Sequence, residues 1–260
     1  MNEVNKTLYI PLYGKAEVSK KGILLYDPKA EDIWAQESFE LKGKAKSKWL
    51  TYYMGMRSSV FDDWTKEKME EMSDAVILHI GCGMDSRIDR VQGYERIWYD
   101  VDFPEVIEER KKYYAETKTY HMLPADARKI EWINDIPEGN AIVIMEGLSM
   151  YLKAKELRDL LVALNRHFVK VHLLMDCYTK FSAKASKYKN PVNDVGVTRL
   201  YGYDEPEMIG RKTGLRYVGE HDLTPEEKVN ELQGFERQFF KHVMGGKFAK
   251  KIYRLYEFEF

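Results

Sequence analysis

The sequence predicts an α/β fold in which a mostly parallel sheet carries helices on both faces and follows a helical N-terminal extension. From Ala75 onward, short apolar runs alternate with longer amphipathic ones, the pattern of a parallel sheet covered by helices. One apolar run leads directly into a Gly-x-Gly turn. Residues 1–74 lack this alternation and are rich in Lys and Glu with scattered aromatics. We therefore predict a helical extension over 1–74 and a sheet domain over 75–260.

The strands are predicted from short apolar runs bounded by polar or glycine-rich segments. Four runs read as buried strands, at residues 75–80, 96–101, 141–145 and 171–176. Another strand is expected to end near residues 122–128. The terminal run IYRLYEFEF is aromatic and β-branched, and a Gly-Gly pair precedes it closely, so we expect an antiparallel strand in a closing hairpin.

Three helices are predicted between and after these strands. A proline opens the segment 104–115, which suits a crossover helix. The segment 154–169 carries one apolar stripe, formed by Leu157, Leu160, Leu161, Leu164 and Phe168. The run TPEE at 224–227 resembles a capping box that starts a helix towards Val243. Residues 180–203 show no clear period, and we expect them to cover a substrate pocket.

The composition excludes several classes of protein. The chain has 41 Lys+Arg against 42 Asp+Glu, so it lacks the basic excess of a non-specific nucleic-acid binder. Cys82 and Cys177 are the only cysteines, which excludes a disulfide framework or a cysteine-based zinc site and favours a reducing compartment. No apolar run is long enough to cross a bilayer or direct export. We therefore expect a cytoplasmic protein without a membrane, nucleic-acid or metal partner.

The first predicted strand runs into a glycine turn, Gly81-Cys82-Gly83, at the start of a helix. Glycines let the backbone pass close to a ligand, and a helix N-terminus carries partial positive charge. Such a turn is typical of nucleotide-like cofactors, although a tight turn without a ligand fits the same pattern. Asp102 follows Gly83 by about 20 residues, where doubly wound folds place the carboxylate that binds a ribose. Asp100 lies deeper on the same strand face and competes for this role.

The charge of the turn distinguishes two cofactors. A dinucleotide site usually has a third glycine or alanine where this chain has Ser86, and Asp85 would repel a phosphate. S-adenosylmethionine (SAM) carries a sulfonium and an ammonium group, so nearby carboxylates favour it. Asp126 follows the third strand, where it can accept from an adenine amino group. Glu146 ends an apolar strand as a carboxylate that needs a partner, and the ammonium of SAM would be one.

Several spaced motifs resemble one known family, that of leucine carboxyl methyltransferases and tetracenomycin-type polyketide O-methyltransferases. These motifs are PLYGKA at 11–16, YDPKA at 26–30, MRSSVFD at 56–62, IGCGMDSR at 80–87, VDFPEV at 101–106 and EGLSMYL at 146–152. The resemblance covers about residues 8–152. It implies a Rossmann-like class I methyltransferase fold with a seven-stranded sheet, and SAM as the cofactor.

The resemblance also implies a role for individual residues. Lys15 and Arg57 would hold the carboxylate of SAM, and Glu146 its ammonium group. The remaining positions would line the methionine pocket at Gly81, Cys82 and Gly83, the ribose at Asp102, and the adenine at Asp126 and Ala127. Two positions depart from the family pattern, since lysine stands at 15 where many polyketide-type members have arginine, and serine replaces threonine at 86.

The methyl acceptor is predicted to be a small carboxylate or hydroxyl compound, with Tyr151 facing it. The basis is the 180–203 segment, whose tyrosines suit an apolar ligand and whose lysines attract an anion: Tyr188, Tyr201, Tyr203, Lys180, Lys184, Lys187 and Lys189. The sequence singles out no catalytic base among His121, His167, His172 and His221. The alternatives are a protein carboxyl methyltransferase, an NAD-dependent oxidoreductase and a non-catalytic SAM-binding module. The oligomeric state stays open.

Overall fold

The computed structural model describes residues 6–186 and 199–260, which contain one seven-stranded sheet. The strands are β1 Val76–Ile80, β2 Trp98–Asp102, β3 Tyr120–Pro124, β4 Asn140–Met145, β5 Lys170–Tyr178, β6 Arg216–His221 and β7 Tyr253–Glu259. Their order across the sheet is β3-β2-β1-β4-β5-β7-β6. β1 to β5 pair in parallel, whereas β7 is antiparallel to both of its neighbours. The predicted mostly parallel sheet is thus confirmed.

Helices cover both faces of the sheet because the central strands are apolar on both sides. Ile77 belongs to the same buried apolar cluster as Phe61 of the N-terminal helices, whereas Leu78 belongs to a second cluster that contains Leu160. The N-terminal part contains helices Tyr9–Lys20, Pro28–Gln36 and Lys48–Glu71, with a short 3₁₀ turn at Gly43–Lys46. These helices share a core with the sheet, and a domain boundary at residue 74 stays a prediction.

The other helices follow the prediction only in part, since the helices that begin at Lys180, Pro206 and Gly246 were not predicted and the predicted helix 104–115 ends at Arg110. They are Arg87–Arg90, Pro104–Arg110, Ala154–His167, Lys180–Ala185, Pro206–Thr213, Glu226–Glu231, Gly234–Phe239 and Gly246–Ile252, with short 3₁₀ segments Gly93–Glu95, Ile130–Asp135 and Ser149–Tyr151 and a π-helical turn Phe240–Met244. The apolar stripe of Ala154–His167 is buried against the sheet, as predicted. No helix in residues 6–186 or 199–260 is long and apolar enough to cross a bilayer.

Three local predictions near the C-terminus are wrong. The Thr224 hydroxyl accepts a hydrogen bond from Gly246 N–H at 3.0 Å instead of capping a helix at 224. The expected single helix towards Val243 is broken, since Gly234 adopts a φ of +51°. The closing hairpin is also absent: Gly246 begins helix Gly246–Ile252, and β7 lies between β5 and β6.

Candidate functional site

A cavity of about 380 Å³ runs along the edge of the sheet where the parallel strands end. Ligands of open α/β sheets bind at this edge, and the volume suits a small molecule. The cavity brings together the ten residues that the sequence analysis assigned to SAM or placed facing the acceptor, namely Lys15, Arg57, Gly81, Cys82, Gly83, Asp102, Asp126, Ala127, Glu146 and Tyr151. What the structure adds is how these side chains are paired.

The glycine turn after β1 has the backbone that glycine permits. Gly81 and Gly83 adopt φ angles of +74° and +51°. A Cβ atom at Gly81 would lie 3.2 Å from the Cβ of Leu148, so the chain passes close to the β4 loop there. Cys82 between them is buried, and burial raises the pKa of its thiol well above the usual range. The turn therefore shapes the cavity wall through its backbone.

Asp102 ends β2 and faces the cavity. Its carboxylate accepts hydrogen bonds from Gly83 N–H and Phe103 N–H, each at 2.7 Å. Burial raises the pKa of Asp102 to about 6, although these two N–H groups oppose the rise. A carboxylate has about four lone-pair sites, so it can still accept from a ligand hydroxyl.

Asp100, the competing candidate for a ribose, does not line the cavity. It is fully buried and accepts from the Tyr120 hydroxyl at 2.6 Å and from Trp98 Nε1 at 2.9 Å. Arg110 Nη2 lies 2.5 Å from the same carboxylate. The carboxylate of Asp100 is therefore bound to other core residues. The prediction that Asp100 competes with Asp102 for the ribose is wrong.

Asp126 lies in the loop after β3, next to Ala127. Its carboxylate accepts from Arg128 Nε at 2.8 Å, and this side-chain hydrogen bond lowers the pKa of Asp126. Ala125 N–H donates to Asp102 O at 2.8 Å, which ties this loop to the end of β2. These residues form the end of the cavity nearest to β3.

Glu146 at the end of β4 is already paired, contrary to the sequence expectation. It accepts from Arg57 Nε and Ser58 Oγ, both at 2.9 Å, and also from Arg87 Nη2. Burial alone would raise the pKa of Glu146, but Arg87 and Arg57 outweigh it and hold the pKa at about 2. The partners come from two helices that the sequence does not place beside this strand.

Lys15 and Asp85 form a second buried pair, with Nζ and Oδ1 2.7 Å apart. Asp85 also contacts Arg90 at 2.7 Å and Arg87 at 3.3 Å, and these cations hold the pKa of Asp85 well below its usual range despite burial. The negative charge of the turn is therefore balanced by three cations. The sequence argument that Asp85 repels phosphate overlooked this compensation.

Arg57 links Glu146 to a group of residues that the sequence did not identify. Its Nη1 donates to Asp176 Oδ2 at 3.1 Å and to the Tyr253 hydroxyl at 2.9 Å. The Tyr253 hydroxyl in turn donates to Asp176 at 2.8 Å. Asp176 lies inside a buried apolar run of β5, the same signal that pointed to Glu146. Tyr253 could not be placed from sequence because its position depends on where β7 joins the sheet.

The cavity has an aromatic end beneath β5 and β7, which we define by Tyr53, Met150, Tyr151, Tyr178, Ile252 and Tyr253. Tyr178 ends β5 and Tyr253 begins β7, and their rings meet edge to face with centroids 5.0 Å apart. Burial raises the pKa of Tyr151 above its usual range. Polar groups thus line the cavity where β3, β2, β1 and β4 end, and aromatic groups line its other end, beside β5 and β7.

The described parts of the 180–203 segment do not line the cavity. Tyr203 donates to Leu152 O at 2.6 Å, Tyr201 N–H donates to Met150 O at 2.8 Å, and Lys180 pairs with Glu205. The expected cover through Tyr188, Lys187 and Lys189 falls on positions outside the described residues.

The four histidines weighed as bases do not line the cavity either. His121 stacks on Tyr99, and His167 contacts Ile136 O at 2.8 Å. His172 is buried on β5, and His221 pairs with Glu257. His79, which the sequence argument passed over, does line the cavity, and burial lowers its pKa although Asp100 opposes this.

Solved structures show which fold this arrangement belongs to. One protein from Thermobifida fusca matches with a TM-score of 0.58 at 13% identity, covering 94% of this chain and 93% of that one. Magnesium protoporphyrin IX methyltransferase from Synechocystis, solved with SAM bound, matches with a TM-score of 0.51 at 11% identity over 90% and 92% of the two chains. The fold is that of the class I SAM-dependent methyltransferases.

Sequence comparisons define the family. The model of the leucine carboxyl methyltransferase family matches residues 13–165, more than half of the chain. The chain therefore belongs to the leucine carboxyl methyltransferase family and is a SAM-dependent methyltransferase. The tetracenomycin polyketide synthesis O-methyltransferase TcmP of Streptomyces glaucescens is 28% identical over 82% of this chain and 81% of its own. The SAM-dependent methyltransferase dpfgK of Gibberella zeae is 28% identical over 67% of this chain and 64% of its own.

Proposed function

We propose that this enzyme transfers the methyl group of SAM to an oxygen atom of a small apolar or aromatic molecule. The observation that carries the proposal is that the cavity has a polar end and an aromatic end. Carboxylates and the glycine turn line it where β3, β2, β1 and β4 end, and the aromatic end lies beside β5 and β7. A polar donor and an apolar acceptor would then meet between β4 and β5.

The residues at the polar end fit the chemistry of SAM. Asp126 and Ala127 would hold the adenine, Asp102 the ribose, and Gly81, Cys82 and Gly83 the methionine chain. Lys15 and Arg57 would hold its carboxylate and Glu146 its ammonium group. SAM, when bound, supplies an electrophilic methyl group on a sulfonium sulfur. The chain contributes by holding the acceptor oxygen in line with that methyl group.

The pairing of these charges supports the same assignment. Lys15 is bound to Asp85 and Arg57 to Glu146, so each cation proposed for the donor carboxylate has an acid beside it. The methionine part of SAM carries a carboxylate, an ammonium group and the sulfonium sulfur, so its arrival adds one net positive charge, which the carboxylates around the cavity favour. A dinucleotide pyrophosphate would add two negative charges without a free cation among the described residues here.

The proposal is tested by binding followed by turnover. Calorimetry with SAM, S-adenosylhomocysteine and NADH should show binding of the first two only, and tighter binding of NADH would favour an oxidoreductase. Labelled SAM is then offered with a phosphatase C-terminal peptide or with a set of small phenols and carboxylic acids. Saturable methylation of small molecules is the expected result. Methylation of the peptide alone would identify a protein carboxyl methyltransferase, and donor binding without turnover of either would indicate a non-catalytic module.

A further inference from the structure

Three aliphatic side chains line the cavity beside β7 and β6, and we define them as the far wall: Leu223, Ala249 and Ile252. Leu223 follows β6, the strand at the opposite edge of the sheet from β3. Leu223 and Ala249 are buried, and all three side chains pack in the apolar cluster that also contains Tyr253. These side chains carry no hydrogen-bonding group, so a ligand that reaches the far wall would place an apolar group against it.

The helix Gly246–Ile252, which carries two of these side chains, is tied to the rest of the fold at both ends. At its start, Gly246 N–H donates to Thr224 Oγ1 at 3.0 Å, close to the end of β6. At its end, Thr179 N–H donates to Ile252 O at 3.1 Å, just after β5. The helix is thus held in place, and the shape of the far wall depends on the side chains that it carries.

Ala249 has the smallest side chain of the far wall. It lies three residues before Ile252 in the same helix, so the two side chains share the helix face that lines the cavity. Ala249 has no exposed surface, whereas its neighbour Phe248 is 42% exposed. A larger side chain at position 249 would project into the cavity, because the helix is held in place and the space in front of Ala249 belongs to the cavity.

The family model separates the far wall from the donor end of the cavity. The model matches residues 13–165, which include every residue proposed for SAM, from Lys15 to Glu146. All three residues of the far wall lie outside that range. The donor end therefore lies in the part of the chain that the family model matches, and the far wall does not. This division favours the far wall as the place where the chain selects its acceptor.

We propose that Ala249 sets the length of the acceptor, and that the acceptor carries its reacting oxygen at one end and an apolar group at the other. This inference rests on the proposed function and narrows its substrate class. It concerns the end of the acceptor that lies away from the methyl group, so it applies equally to a hydroxyl and to a carboxylate oxygen. An acceptor that is too long for the cavity cannot bring its oxygen in line with the methyl group, and its methylation slows.

The first experiment tests whether the space in front of Ala249 is free, and it needs no acceptor. Ala249→Leu adds three carbon atoms that enter the cavity, so the midpoint of urea unfolding should stay close to that of the wild type. Ala45→Leu makes the same change at a buried alanine that does not line the cavity, and overpacking should lower its midpoint clearly. An equal fall in both variants would show that Ala249 faces a packed core, and it would overturn the proposal.

The second experiment measures kcat/KM with labelled SAM for 4-alkylphenols and 4-alkylbenzoates whose chains grow from methyl to octyl. In the wild-type enzyme each added methylene should raise kcat/KM about fourfold until the chain reaches the far wall, and kcat/KM should then fall. Ala249→Leu should move this maximum to a chain about three carbon atoms shorter. Ile252→Ala removes three carbon atoms from the same wall and should move the maximum to longer chains. A maximum that stays in place in both variants contradicts the proposal.

Ala45→Leu is also the control for the chain-length series. It should keep the wild-type maximum, because its added carbon atoms lie outside the cavity. A shift of the same size in Ala45→Leu and Ala249→Leu would reveal a general effect of overpacking and would overturn the proposal.

The order of the measurements separates this inference from the proposed function. Binding of S-adenosylhomocysteine is measured first by calorimetry. If the wild-type enzyme does not bind it, or methylates no small molecule, the proposed function fails, and this inference fails with it. If small molecules are methylated but neither alkyl series shows a maximum that depends on Ala249, this inference alone fails.

Discussion

The Asp102 carboxylate accepts a hydrogen bond from Gly83 N–H at 2.7 Å, so the end of β2 holds the glycine turn that follows β1. One side chain therefore shapes the turn and faces the space proposed for the ribose. A change at Asp102 consequently affects both the turn and the proposed ligand contact.

We expect Asp102→Ala to lower SAM affinity about 10- to 100-fold, because it removes two charge-assisted hydrogen bonds to the ribose. Calorimetry measures the affinity, and urea unfolding should show a loss of about 1 to 2 kcal/mol from the freed Gly83 and Phe103 N–H groups. Unchanged affinity in a folded variant would mean that the ribose is held elsewhere.

The pKa of Asp102 predicts a pH dependence of donor binding. Because burial raises this pKa to about 6, Asp102 becomes protonated as the pH falls through that value and loses one acceptor oxygen. SAM affinity should therefore decline below about pH 6, by up to about tenfold per pH unit. Asp102→Asn should bind weakly at pH 8 and lose this part of the decline. Asp176 titrates in the same range and is still present in that variant, so the difference between the two curves isolates Asp102.

Much of the site could be predicted because parallel strands all end at one edge of the sheet. Gly83, Asp102, Asp126 and Glu146 each follow a short apolar run, and this pattern alone brings them together. Strand β6 was not predicted, because it lies at the sheet edge and is only partly buried and therefore lacks a clear apolar run.

The pairing of the charges could not be predicted, since it depends on how the N-terminal helices pack. Asp27 caps helix Pro28–Gln36 through Ala30 N–H at 2.9 Å and also accepts from Ser86 and Arg90. These partners are 59 and 63 residues away along the chain. In the sequence such residues resemble ordinary surface charges, and only the tertiary fold shows that they neutralise each other.

Arg57→Lys should reduce both stability and donor binding. A lysine cannot contact Glu146, Asp176 and Tyr253 together as the planar guanidinium does. We expect the free energy of unfolding of the ligand-free protein to fall by roughly 1 to 3 kcal/mol, because two buried carboxylates lose part of their compensation. Urea unfolding measures the stability and calorimetry the SAM affinity. Lower stability with unchanged SAM affinity would show that Arg57 is purely structural.

Glu146→Gln and Asp62→Asn form a matched pair that separates structure from binding. Each acid is buried and accepts from two arginines: Glu146 from Arg57 and Arg87, and Asp62 from Arg87 and Arg90. Each substitution leaves buried arginines with one balancing charge fewer, so both variants should lose about 3 kcal/mol of stability.

Glu146 lines the cavity and Asp62 does not, so the two variants should differ in ligand binding. Glu146→Gln should lower SAM affinity about 10-fold or more, because the ammonium group loses a charged partner. Asp62→Asn should stay within about threefold of the wild type. The pKa of Glu146 is depressed from 4.5 to about 2, so its contribution to stability is present above pH 4.5 and lost as the pH falls towards 2. Glu146→Gln should lack that part of the acid destabilisation. If the two variants instead lose SAM affinity equally, the loss reflects the damaged charge network, and Glu146 has no direct role in holding the donor.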